Sequence, residues 1–267
     1  MSGKTPVEKE EVLRAEQLRI GYKSRRKTDI IASGISFAAL KGELTAIIGA
    51  NGMGKTTLLR TLARILPAIS GNITLHRKPL GKFSASGLAR EIGLVLTGHH
   101  PSGNLTVNEI IALGRHPYTN WMGTPGAEDR AKVDEAKKLL GIEPLGTEKC
   151  YTLSDGQLQK VMIARVIAQD TSVIILDEPT THLDVYHKTH ILKLLRTLAH
   201  KTGKSIIFSS HEIEHSIQLC DKILVLHRGG ADFGTPQSLV RNGTFNRLFP
   251  EDLITFDPET TSFRIRE

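Results

Sequence analysis

Short apolar runs recur along the chain at Leu44–Ile48 (LTAII), Gly93–Leu96 (GLVL), Ser172–Leu176 (SVIIL), Ser205–Ser209 (SIIFS) and Ile223–Leu226 (ILVL). Several lack polar alternation, as strands covered on both faces do. Between them, apolar residues fall at helical spacing over Lys55–Ile65, Glu128–Leu140, Gln157–Ala168 and Lys188–His200. This alternation predicts an α/β fold with a largely parallel sheet. The first forty residues read as short strands (EQLRIGY, ISFAAL) around the basic loop KSRRKTD, an antiparallel sheet laid against the core. From Thr97 to Ile163 the strand pattern gives way to Pro, Gly and helical stretches, which predicts an inserted helical subdomain. The tail LITFDPETTSFRIRE reads as two short strands about a proline-containing turn. The expected division is therefore a core of residues 1–96 and 165–267 with a helical unit at 97–164.

Composition narrows the class without choosing a function. A chain of 267 residues, 39% hydrophobic and 24% charged, is that of an ordinary globular protein with room for one full core. Its two cysteines, Cys150 and Cys220, exclude a disulfide framework or zinc ribbon and suit a reducing compartment. The opening MSGKTPVEKEEVLRAEQ has no apolar stretch of the kind a signal peptide carries. No run approaches the roughly 18 apolar residues of a membrane span, so the chain is expected not to cross one. A net charge of +7 suits attraction to phosphate, in nucleic acid or lipid, and equally suits a solvated basic surface.

Chemistry enters at Gly49–Thr56 (GANGMGKT), which fits G-x-x-x-x-G-K-[ST] between an apolar strand and a helix. Glycines 49, 52 and 54 let the backbone bend so that its N–H groups, with those near Asn51, converge on phosphate oxygens at a helix N-terminus. Lys55 is placed to reach β- and γ-phosphates, Thr56 to ligate Mg²⁺, and Thr57 to bond an α-phosphate. Such a loop needs a metal-binding acid at the end of another strand, and Asp177-Glu178 follow SVIIL directly. Asp177 would hold Mg²⁺, directly or through water, and Glu178 would act as general base on the attacking water. Upstream, Leu153–Gln157 (LSDGQ) opens an apolar helix; Ser154 and Gln157 form a capping box, which leaves Gly156 unexplained. A small residue there lets a phosphate approach the helix N-terminus, a second phosphate site that makes sense when two chains face each other.

Taken in order, these segments resemble the nucleotide-binding subunits of ABC transporters over nearly all of residues 10–230. GANGMGKTT resembles the Walker A motif, LSDGQ the LSGGQ signature with Asp155 at its middle glycine, and VIILDEPT Walker B. THLD, through Asp184, resembles the D-loop, and SSHE, through His211, the switch segment. The resemblance implies a P-loop NTPase (RecA-like) core, ATP and Mg²⁺ as cofactors, and a homodimer that sandwiches two ATPs. It further implies that Tyr22 stacks on adenine, that His211 contacts the γ-phosphate and Glu178, and that Asp184 reaches the partner's Walker A. Lys55, Glu178 and His211 are then the catalytic set, with Ser154, Gly156 and Gln157 touching nucleotide across the interface.

The strand that enters the helical unit ends, in this family, in a glutamine that touches Mg²⁺ and water; here Thr97 stands at that position. Its side chain is shorter, so a water-bridged contact with the metal is expected. His99 and His100 beside it have no third ligand at metal-site spacing and read as loop residues. The segment GNLTVNEIIALGRHPYTNWMG resembles the matching region in importer ATPases for iron–siderophore complexes, haem and cobalamin. That resemblance implies integral-membrane permease partners docked on the helical subdomain, with Tyr118 and Trp121 as a possible apolar patch. It also implies a periplasmic or surface binding protein acting indirectly, and a cytoplasmic place on the inner face of the membrane. A soluble ABC-type ATPase acting on ribosomes or nucleic acid is the alternative. Against it stand a single cassette, no coiled-coil insertion, and only the short basic loop Lys23–Lys27 to attract nucleic acid.

Overall fold

The computed structural model describes residues 10–25, 27–97, 104–119, 123–181, 183–249 and 253–265. His99, His100 and Trp121 lie outside the described residues. The chain begins with two long antiparallel strands, β1 (Glu11–Lys23) and β2 (Thr28–Leu40), and continues into β3 (Leu44–Gly49) and α1 (Lys55–Leu62). β4 (Ser70–Leu75), β5 (Lys78–Pro79), α2 (Ala85–Ala89) and β6 (Ile92–Val95) follow. Three helices come next: α3 (Val107–Ala112), α4 (Ala127–Leu140) and α5 (Asp155–Ala168). The chain then re-enters the sheet through β7 (Val173–Leu176), α6 (Val185–Thr202), β8 (Ser205–Ser210), α7 (Ile213–Leu219), β9 (Lys222–His227) and β10 (Gly230–Gly234). α8 (Pro236–Arg241) leads to the terminal hairpin of β11 (Ile254–Asp257) and β12 (Ser262–Ile265).

The central sheet runs β10-β9-β3-β8-β7-β6, parallel except for β10. Every residue of β3, β7 and β8 is buried, as expected of strands covered on both faces. Successive side chains enter different cores. Ile47 packs with Leu18, Leu58 and Leu62 on one face, while Ala46 and Ile48 pack with Leu192, Leu195 and Phe208 on the other. Parallel pairing brings the carboxyl ends of β3, β7 and β8 together, where sheets of this kind hold ligands.

A second sheet, β2-β1-β4-β5, covers the face that carries α1. Its third strand escapes a pattern reading because SGNITL is mostly polar and lies at least half exposed; β1 recruits it through Leu13 opposite Leu75 and Ala15 opposite Ile73. β10 (GADFG) is likewise too glycine-rich to read as a strand, yet pairs with β9 throughout. Local chemistry also moves helix ends. α6 starts three residues before the expected Lys188, because the Asp184 side chain accepts from His187 N and caps it. α1 stops at Leu62, with Arg64 turned to φ +57°.

Between β6 and β7 the described residues hold helices and one isolated bridge, Thr106 to Lys149. α3 and α4 pack on α5, and the buried Arg115 ties them: Nε donates to Asp129 at 2.8 Å and Nη1 to Ala168 O at 3.0 Å. The expected boundary at 164/165 falls inside α5, which is continuous from helical unit to core. Among the described residues no helix is long and apolar enough to cross a membrane, and both cysteines are buried free thiols.

Candidate functional site

β3 ends in Gly49, where an added Cβ would lie 2.9 Å from Leu226 O; β9 can approach only because that carbon is missing. Gly54 sits at φ +94° as the cap of α1, and a Cβ there would meet Ile31 Cγ2 at 2.7 Å. Strand, turn and helix thus wrap the loop around Lys55, the first residue of α1. Its Nζ donates to Gly49 O at 2.7 Å and to Ala50 O at 3.4 Å. Burial lowers the pKa of this ammonium, opposed by the nearby carboxylates of Glu178 and Asp177.

Asp177 leaves the end of β7 nearly buried and gathers hydroxyl donors from three other segments. Thr56 Oγ1 lies 3.0 and 3.1 Å from its two oxygens, Thr97 Oγ1 donates to Oδ2 at 2.8 Å, and Ser209 Oγ donates to Oδ1 at 2.7 Å. Thr97, expected to meet the metal through water, thus also bonds directly to the acid proposed to hold that metal. Glu178 follows at φ +46°, a left-handed conformation unusual for a side chain of its length. Its amide donates to Ser209 Oγ at 2.9 Å. Its carboxylate is held at both oxygens, Oε1 by His211 Nε2 at 2.7 Å and Oε2 by Thr181 Oγ1 at 3.0 Å.

Between loop and acids lies a cavity of about 260 Å³, walled by Asn51, Gly52, Gly54, Lys55, Thr56 and Thr57 on one side. Glu178, His211 and Ile31 wall the other. Tyr22, half exposed near the end of β1, does not line it, nor do Ser154, Gly156, Gln157 and Asp184. Ser154 and Gln157 form the expected capping box of α5: Gln157 N donates to Ser154 Oγ at 3.3 Å and Ser154 N to Gln157 Oε1 at 3.0 Å. A Cβ on Gly156 would stand 3.3 Å from Leu183 Cδ2, so the head of α5 touches the turn that carries Asp184. Asp184 Oδ1 accepts from His187 N at 2.8 Å.

Three residues escaped the sequence reading. Thr181 had a signal, a hydroxyl three residues after a carboxylate at a strand exit. Ser209 stands at the head of SSHE but reads there as an ordinary strand residue, and Ile31, in a distant hairpin, had no signal. All the oxygen donors around Asp177 are hard ligands, a set that suits Mg²⁺ better than a soft metal.

A strand, glycine loop and helix, faced by acids from the end of β7, one strand beyond β8 in the same sheet, define a P-loop nucleoside triphosphatase. The ABC transporter family pattern matches residues 32–181, and the chain belongs to that family. It is an ATPase of that family. The ferric enterobactin transport ATP-binding protein of Escherichia coli is 34% identical over 242 residues, covering 89% of this chain and 86% of that one. The iron(3+)-hydroxamate import ATP-binding protein of Bacillus subtilis is 34% identical over 251 residues, covering 93% and 91%. Among solved structures, a component of an ABC transporter complex from Clostridium perfringens superposes with a TM-score of 0.74 at 31% identity, covering 88% of this chain and 95% of that one.

Proposed function

We propose that the chain is the ATP-hydrolysing subunit of an importer for iron–siderophore complexes, working as a homodimer on separate permease subunits at the inner face of the cell membrane. The observation that carries the hydrolytic part is the single cavity joining Lys55, Thr56, Glu178 and His211. In it Lys55 exchanges the Gly49 carbonyl for phosphate oxygens, and Asn51, Gly52, Gly54 and Thr57 line the rest of the phosphate path. Thr56, Asp177 and Thr97 would hold Mg²⁺, which when bound neutralises charge on the β- and γ-phosphates. Glu178 accepts the proton of the attacking water, while His211 and Thr181 fix its two oxygens. Tyr22 offers its exposed ring to adenine from the edge of the β1–β2 sheet.

Dimerisation accounts for the residues left outside the cavity. Ser154, Gly156, Gln157 and Asp184 face solvent or nearly so, and the side chains of Ser154, Gln157 and Asp184 are satisfied within their own turns. They are assigned to the cavity of a second copy. The helical unit, residues 97–164, transmits closure to the permease, which alone meets the cargo delivered by an external binding protein. The assignment of iron–siderophore cargo rests on the relatives that import ferric enterobactin and iron(3+)-hydroxamate; neither points to haem or cobalamin.

Replacing Glu178 by Gln tests the first half. Turnover should fall at least about 1,000-fold, with ATP still bound and an ATP-dependent dimer accumulating on size exclusion. A variant that still turns over at the parent rate removes Glu178 as base. Uptake of iron-55 ferric hydroxamate by cells lacking the chain tests the second half, and undiminished uptake would rule out that cargo.

A further inference from the structure

We infer that Ser209 is a positioning residue for hydrolysis: it fastens the Asp177 carboxylate to the Glu178 main chain and thereby sets the direction of the Glu178 side chain. The inference rests on the reading of Glu178 as base, and adds a residue that neither the loop nor the acid motif contains.

Ser209 is the penultimate residue of β8 and is completely buried. One hydroxyl serves both acids, donating its proton to Asp177 Oδ1 at 2.7 Å and accepting from Glu178 N at 2.9 Å. The β7–β8 ladder stops at Leu176 opposite Phe208; beyond it Ser209 stays paired with Ile47 of β3 and Asp177 N donates to Val95 O of β6, but the ladder no longer joins β7 to β8. Ser209 takes over with its side chain where the backbone pairing ends. That matters because Glu178 stands at φ +46°, a region disfavoured for anything but glycine and small polar residues. Such a conformation persists only where its surroundings over-determine it. The Glu178 carboxylate is held at both oxygens, and its main-chain N–H is held from the interior by the Ser209 hydroxyl.

The neighbouring hydroxyls do different work. Ser210 turns the other way and accepts from Glu212 N at 2.9 Å, which shapes the segment after His211. Thr56 and Thr97 bind the same Asp177 carboxylate as Ser209, and Thr56 does so from the wall of the cavity, where a nucleotide competes for it. Ser209 holds it from the interior, where no ligand reaches. It can therefore keep both acids in register through a whole cycle of binding and release.

Two substitutions test this. Ser209→Ala removes the hydroxyl, and Ser209→Cys keeps the volume with a much poorer donor and acceptor. In each, kcat should fall about 10- to 100-fold, while ATP affinity at equilibrium and KM stay within about two-fold of the parent. Combined with Glu178→Gln, Ser209→Ala should cost no further rate, because the two act through one group. Parent kcat in both variants overturns the inference. So does ATP affinity that falls in step with kcat, since a loss of general structure would move both. The parent and Glu178→Gln enzymes run alongside separate the two levels. If Glu178→Gln keeps the parent rate, the assignment of the base fails; if it does not and the Ser209 variants do, only the role of Ser209 fails.

Discussion

The cavity residues and the residues at the heads of α5 and α6 differ most in where their partners come from. Asp177 is bonded by Thr56, Thr97 and Ser209, which lie 121, 80 and 32 residues away in the chain. Ser154 and Asp184 find theirs three residues on, in Gln157 and His187. Groups of the first kind are placed by the core and have little surface to spare. Groups of the second kind are self-contained and exposed, beside Tyr151, Val185 and Tyr186 that also face outward. A rigid but unfilled surface of that sort is what an interface with another chain needs. On the proposed function, the difference separates what one chain would do with nucleotide from what two chains would do together.

The largest expected break of this contrast is Lys55→Ala, which removes the ammonium of the cavity and should weaken ATP binding by at least about 100-fold in isothermal titration. Gly156→Asp is its counterpart. It should leave ATP binding by the isolated chain unchanged while turnover disappears, and weakened binding to the monomer would collapse the distinction. Smaller effects follow at the helix heads. Ser154→Ala and Asp184→Ala each remove a cap and should each cost about 1 kcal/mol in urea unfolding. Smaller still, Thr97→Gln should leave nucleotide affinity near the parent value, because Thr56 and Ser209 keep Asp177 in place; a large gain would mean that Thr97 marks a weakened metal site.

The least effect is one of pH. Burial raises the Asp170 carboxyl, but hydrogen bonds from the Lys132 and Lys204 ammonium groups outweigh it and hold its pKa at about 2. A depressed carboxylate stabilises the fold above its ordinary pKa and loses that contribution as pH falls toward the folded value. The melting temperature of Asp170→Asn should therefore lie below the parent at neutral pH, with the gap closing between about pH 4 and pH 2. A gap that persists at low pH would mean that Asp170 matters for shape rather than charge.

Much of the molecule is written locally. The glycine loop, the acid pair after SVIIL and the capping box at Ser154 are each contiguous, so backbone geometry and hydrogen bonding within a few residues suffice to recognise them. The buried strands are legible for the same reason, since being covered on both faces leaves an unbroken apolar run. What stayed hidden depends on distant neighbours. β4 and β10 are strands because β1 and β9 offer them edges, not because SGNITL or GADFG prefers that state. Asp184, recognised from its motif, proves also to be a helix cap, which only the start of α6 at Val185 reveals.

The sequence by itself determined which side chains are proposed for the chemistry: Lys55, Thr56, Asp177, Glu178 and His211 stand in contiguous motifs whose local geometry recurs wherever the pattern does. Only the tertiary structure decided how those groups are held. The union of Asp177 and Glu178 through Ser209 and the left-handed turn at Glu178 arise where β7 and β8 end side by side. A hydrogen bond across a parallel sheet joins residues that no spacing rule connects, because the register of two strands is set by everything packed upon them.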